Sequence, residues 1–91
     1  MFNTRIKEQR ESYGMSQTEL AGKLGVSKQS VSNWENDNIQ PSIEMLIKIA
    51  KLFSVTTDYL LGLDSRQFIE ITGLTLNQIK HIQVLISDLK K

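Results

Sequence analysis

The chain has 91 residues, room for one domain or for one small domain with an appended helix. A hydrophobic content of 40% suits a folded globule, and the absence of cysteine removes disulfides, thiolate metal sites and thiol nucleophiles together. Eleven Lys and Arg against ten Asp and Glu give a net charge of +1, so no global basic field advertises a nucleic-acid partner.

The apolar spacing is helical almost throughout. A first helix is expected from Phe2 or Asn3 to Tyr13, with Phe2, Ile6 and Tyr13 on one stripe and Gly14 as its left-handed stop. Ser16 opens a second helix, and Glu19 three residues on completes an S-x-x-E capping box. Leu20, Ala21 and Leu24 form its buried face and Gly25 ends it. Ser27 caps a third helix running to about Asn36, with Val31 and Trp34 inward. Pro41 disfavours a helical residue before it, so residues 37–41 are loop. Ser42 caps a fourth helix over Ile43–Phe53, apolar at Leu46, Ile49, Ala50 and Phe53. Thr56 or Thr57 opens a short fifth helix around Asp58–Leu61, closed by Gly62. Residues 63–74 read as a linker, with residues 67–71 ambiguous between strand and coil. Thr75 with Gln78 makes a second capping box for a final helix reaching about Lys90.

These elements give an all-α fold. The expected organisation is a five-helix unit at residues 1–62, a linker at 63–74 and a C-terminal helix at 75–91. In that last helix Ile79, Ile82, Ile86 and Leu89 fall at 3-4-3 spacing, and Leu76 and Leu85 widen the face. Such a face needs a partner. Self-association through these four residues is the expectation, and packing on the chain's own bundle is the alternative.

Residues 16–36 carry the chemistry: a capped helix, a Gly-containing turn and a second capped helix. Ala21 is small where two steeply crossing helices approach, and Gly25 supplies the positive φ for a short reversal. With Val31 and Trp34 inward, the third helix exposes Lys28, Gln29, Ser32, Asn33 and Asn36. Each can hydrogen-bond and none is acidic. Gln and Asn can bond bidentately to adenine N6 and N7, Lys can donate to guanine or phosphate, and Ser can do either. An ordinary solvated face mixes Lys with Glu for i,i+4 pairing, yet no acid occurs between Val26 and Trp34.

Ser16-Gln17, Leu20-Ala21, Gly25-Val26-Ser27, Trp34-Glu35 and Pro41-Ser42 together resemble the phage-repressor (Cro-like, XRE) helix-turn-helix family over about Arg5 to Gly62. The resemblance implies a five-helix, lambda-repressor-like bundle, here with an extra helix, that binds palindromic operators as a dimer. It implies that Gln17 clamps the phosphate backbone and that Lys28, Gln29 and Asn33 face bases; Ser32 and Asn36 on the same exposed stripe, and Ser27 at its start, are further candidate contacts. It also implies an ion pair between Arg10 and Glu35. Where the family often has Gly followed by basic residues, this chain has Asp37, Asn38, Ile39 and Gln40. Asp tolerates the left-handed turn, but the missing cations lower the expected number of phosphate contacts.

The resulting expectation is a transcriptional regulator, most simply a repressor, with double-stranded DNA and a second copy of the chain as partners. The alternative is an interaction protein that sequesters a small protein partner, as antitoxins on this fold do, with DNA binding as autoregulation. No cofactor, metal or catalytic residue is expected. His81 is lone, and neither a paired His nor a Gly-rich phosphate loop occurs. Arg5, Lys7, Glu8 and Arg10 interrupt any leader-like apolar run, and Lys48 and Lys51 interrupt the most apolar stretch, so the expected compartment is the cytoplasm; the resemblance implies a bacterial or phage-encoded, nucleoid-associated protein.

Overall fold

A computed structural model describes residues 1–66 and 68–91. Among these, six helices account for the regular structure: α1 (Phe2–Ser12), α2 (Gln17–Leu24), α3 (Lys28–Glu35), α4 (Ile43–Phe53), α5 (Thr57–Leu61) and α6 (Leu76–Leu89).

Helix boundaries follow local chemistry. Ser16, Ser27, Ser42, Thr56 and Thr75 each sit at an extended N-cap and accept the backbone N–H three residues on. Ser16–Glu19 and Thr75–Gln78 close full capping boxes, satisfying two otherwise orphan donors at each helix start. At the other ends Gly25 (φ 72°) and Gly62 (φ 79°) adopt the left-handed conformation that lets the chain leave the helix. Two side-chain-bearing residues do the same, Ser54 (φ 55°) and Asp37 (φ 59°). Asp37 stands where Gly was expected from the resemblance, and its carboxylate accepts a bond from Gln40 Nε2 at 2.9 Å.

Helix α2 packs on α3 and α4, α1 on α3 and α5, and α4 on α5. Their shared core comprises Phe2, Ile6, Leu20, Ala21, Leu24, Val31, Trp34, Ile49, Ala50, Phe53, Tyr59 and Leu60. Burying one such Leu, Ile or Phe contributes about 1.5–3 kcal/mol, so this cluster holds the bundle together. Trp34 is fully part of it. Tyr13 departs from the expected stripe: it is the C-cap of α1 and 54% exposed. The ring lies 5.3 Å from that of Phe53 and the hydroxyl donates to the Phe53 carbonyl at 3.2 Å, so Tyr13 lids the core edge.

Residues 63–66 and 68–74 are irregular, which resolves residues 68–71 of the ambiguous stretch as coil; residue 67 lies outside the described residues. Helix α6 buries no residue. Ile79 and Ile82 are half-buried, whereas Leu76 (83%), Ile86 (42%) and Leu89 (76%) face solvent.

Candidate nucleic-acid interface

The turn joining α2 to α3 is held from three sides. Gly25 reverses the chain, and Val26 N–H returns to the Ala21 carbonyl at 3.0 Å. From α4, Lys48 Nζ donates to the Leu24 carbonyl at 2.9 Å, placing a cation at the negative end of the α2 dipole. Lys48 is a contributor that residue spacing did not single out, because its target is a backbone group 24 positions away.

Helix α3 then presents a polar face. Lys28, Gln29 and Asn36 are exposed, Ser32 and Asn33 half-buried, and Val31 and Trp34 buried as expected. Gln29 Nε2 donates to Asn33 Oδ1 at 3.0 Å, and Asn36 Nδ2 to Ser32 Oγ at 3.2 Å. The two amides one turn apart are thus aligned as a unit, with the Gln29 carbonyl oxygen and the Asn33 N–H groups still available for a base edge. The Ser27 oxygen accepts Ser30 N–H at 3.1 Å and lies 3.0 Å from Ser30 Oγ, so Ser27 is first the cap of α3. Lys28 occupies the first turn, where a cation opposes the helix dipole.

Behind this face lies a buried polar cluster. The Arg10 guanidinium grips Glu35 with Nε to Oε2 at 2.7 Å and Nη2 to Oε1 at 2.9 Å, and its Nη1 donates to the Met15 carbonyl at 2.8 Å. The two side chains are only 11% and 3% exposed. The hydrogen bond from Arg10 to Glu35 raises the guanidinium pKa above its ordinary value, against the opposing effect of burial. The same carboxylate receives a third donor, Gln17 Nε2, 3.2 Å from Oε1. Gln17 opens α2, and its half-buried side chain is therefore oriented by the last residue of α3. The ion pair expected from the resemblance exists, and it reaches further than expected.

Lys28, Gln29, Ser32 and Asn33 lie on α3 itself, Asn36 is its C-cap, and Gln17 joins them through Glu35. Ile79, Ile82, Ile86 and Leu89 belong to α6, a separate surface. Two hollows among the described residues are lined by residues such as Phe53, Val55, Phe68 and Ile69, away from α3.

The helix-turn-helix family profile (HTH_3) matches residues 6–60, spanning α1 to α5. The chain belongs to the helix-turn-helix family. Among curated helix-turn-helix relatives, ImmR of Bacillus subtilis, a transcriptional regulator, is 43% identical over 60 residues, covering 66% of this chain and 47% of ImmR. The chain spans about half the length of the first such relatives it matches. Among solved structures, the P22 c2 repressor in complex with a synthetic operator superposes with a TM-score of 0.66 at 31% identity, covering 70% of this chain and 97% of that one. SinR, from Bacillus subtilis, matches in its complex with DNA (TM-score 0.62, 39% identity, 67% and 98% covered). It matches again in its complex with SinI (TM-score 0.64, 26% identity, 99% and 98% covered). The all-α phage-repressor fold expected from the sequence is the fold of this helix-turn-helix protein.

Proposed function

We propose that the chain is a sequence-specific regulator of transcription that binds double-stranded DNA as a dimer and acts most simply as a repressor. One observation carries this reading: an acid-free row of amide, hydroxyl and ammonium side chains on α3, with Gln17 oriented beside it by Glu35. In this reading α3 enters the major groove, and Gln29 and Asn33 read base edges. Lys28, Ser32, Asn36 and Ser27 contact neighbouring bases or phosphates, and Gln17 with the first-turn amides of α2 clamps one phosphate. The structures of the P22 c2 repressor and SinR with DNA support it by likeness.

Residues 1–62 are the DNA-binding unit, residues 63–74 the connection, and residues 75–91 the dimerisation element through Ile79, Ile82, Ile86 and Leu89. Two recognition helices about 34 Å apart on one face of the duplex would meet a palindromic site and exclude other proteins from it. Binding sites selected from a random duplex library at near-physiological salt should converge on such a palindrome. A pool that stays unenriched with folded protein overturns the reading.

A second reading, in which the chain sequesters a small protein partner and DNA binding is secondary, is favoured by one observation. The likeness to SinR in its complex with SinI extends over α6, whose apolar face is uncovered here. Operator binding that varies with the ratio of the chain to a co-purifying small protein would select this reading over the first.

A further inference from the structure

The corner where the chain leaves the bundle is built around Arg5, a side chain absent from the DNA-facing surface. Its Nη1 donates to the Tyr59 carbonyl and, at 3.1 Å, to the Asp64 carbonyl. The guanidinium also lies 4.3 Å from the centre of the buried Tyr59 ring, a cation–π contact. The Asp58 carbonyl accepts Leu63 N–H at 2.9 Å and Asp64 N–H at 3.4 Å. Gly62 turns the chain at φ 79°, and a Cβ there would come within 2.9 Å of the Met1 side chain, which backs the turn. Two residues on, the Asp64 carboxylate accepts Arg66 N–H at 2.9 Å and Arg66 Nη2 at 3.1 Å. The first residues after α5 are therefore directed by bonds to α1 and α5 rather than left to chain entropy.

The direction of this exit has a mechanical consequence for two joined copies. A link with a fixed starting direction favours one separation of the two bundles, whereas a loose link smears that optimum over many. We propose that Arg5 is a positioning residue for operator geometry: by pinning Asp64 onto α5 it sets which half-site spacing the protein accepts. This inference rests on the dimeric reading above.

The test uses the full-length protein and its Arg5→Ala and Arg5→Lys variants. Each is titrated on duplexes carrying two selected half-sites whose spacing is changed one base pair at a time, and on a single half-site. A shift of two base pairs rotates a half-site about 70° around the duplex. The wild type should then prefer one spacing by about tenfold or more, the range in which linkage geometry acts. Arg5→Ala should keep single-half-site binding within about twofold, since the contacts there are untouched, while its spacing profile flattens. Arg5→Lys keeps a charge near Tyr59 but, on a shorter side chain without the planar guanidinium that holds Nη1 between the two carbonyls, should fall between. A wild-type-sharp profile in Arg5→Ala, or in folded Arg5→Lys where the alanine variant loses its fold, overturns the role of Arg5 alone. A wild type indifferent to spacing overturns the dimeric reading, and this inference with it.

Discussion

Glu35 holds Gln17: the last residue of α3 accepts a hydrogen bond at 3.2 Å from the amide of the first residue of α2. The carboxylate that does so is already clasped by Arg10. The end of the helix proposed to read bases and the group proposed to grip phosphate therefore meet at one buried ion pair. Desolvation offsets much of such a pair's attraction, so its role is more to position than to stabilise.

Removing one partner is a different matter. Arg10→Met or Glu35→Gln alone should cost about 3–5 kcal/mol in chemical denaturation, because the remaining group is buried with its partner gone or weakened. The double variant Arg10→Met/Glu35→Leu should be more stable than either single one, yet bind operator more weakly than the wild type. A double variant with unchanged affinity would separate the ion pair from DNA recognition.

Gln29→Ala and Asn33→Ala should each lose about 1–3 kcal/mol of discrimination at particular base pairs. The 3.0 Å bond between them means the double variant should lose less than the sum of the two. Gln17→Ala should instead weaken all sequences alike. Titrations against single-base operator variants distinguish these cases, and equal losses on specific and random DNA would deny Gln29 and Asn33 a reading role.

Two backbone positions offer stability. A Cβ at Gly22 meets nothing within 4 Å, so Gly22→Ala should stabilise α2 by about 1 kcal/mol. Asp37→Gly removes a left-handed residue with a side chain, worth at most about 1–2 kcal/mol, and also a negative charge close to α3. Thermal melts should rise for both variants, and DNA affinity at low salt should rise only for Asp37→Gly.

The capping box of α2 should leave a signature in acid. Hydrogen bonds with the Ser16 backbone and side chain hold the Glu19 carboxyl below its usual pKa. A carboxylate lowered by folding contributes stability that is fully present above its unfolded pKa and lost as pH falls through its folded value. Glu19→Gln keeps an acceptor for the Ser16 N–H without a titrating group, so its stability should decline less steeply in that acid window. Identical slopes for variant and wild type in pH-dependent melts would contradict this.

Among the described residues, none after Gly62 belongs to the buried core that truncation at that point would leave behind. The remaining bundle should stay folded, with a cooperative melt, and sediment as a weaker dimer than the full chain. A truncated chain sedimenting as a tight dimer would place the interface elsewhere.

The fold was legible because its signals are local. Each Ser or Thr cap and each Gly stop acts on backbone within about four residues, which a linear reading captures. Val31 and Trp34 could be assigned inward from periodicity alone. Tyr13 was misplaced because periodicity treats the last residue of a helix like any other, whereas a C-cap side chain swings out of the stripe. The Arg10–Glu35 pair was reachable by resemblance, but Arg5, Lys48 and the Gln17–Glu35 bond were not. Their partners are backbone carbonyls or groups 18 to 59 positions distant, brought close only by packing. The outward residues of α3 could be named from the sequence, while the pairing of Gln29 with Asn33 required side-chain geometry.

The run of hydroxyl caps from Ser16 to Thr75 bears on how quickly the chain folds. Each cap favours the start of its helix through a bond three residues away, and α1 to α5 are joined by short connections, so that packing partners lie close in sequence. Chains dominated by such near-neighbour contacts cross their barrier in microseconds to milliseconds. A regulator built this way would pass from ribosome to operator with little time spent exposing Leu20, Ile49 or Phe53 to other unfolded chains.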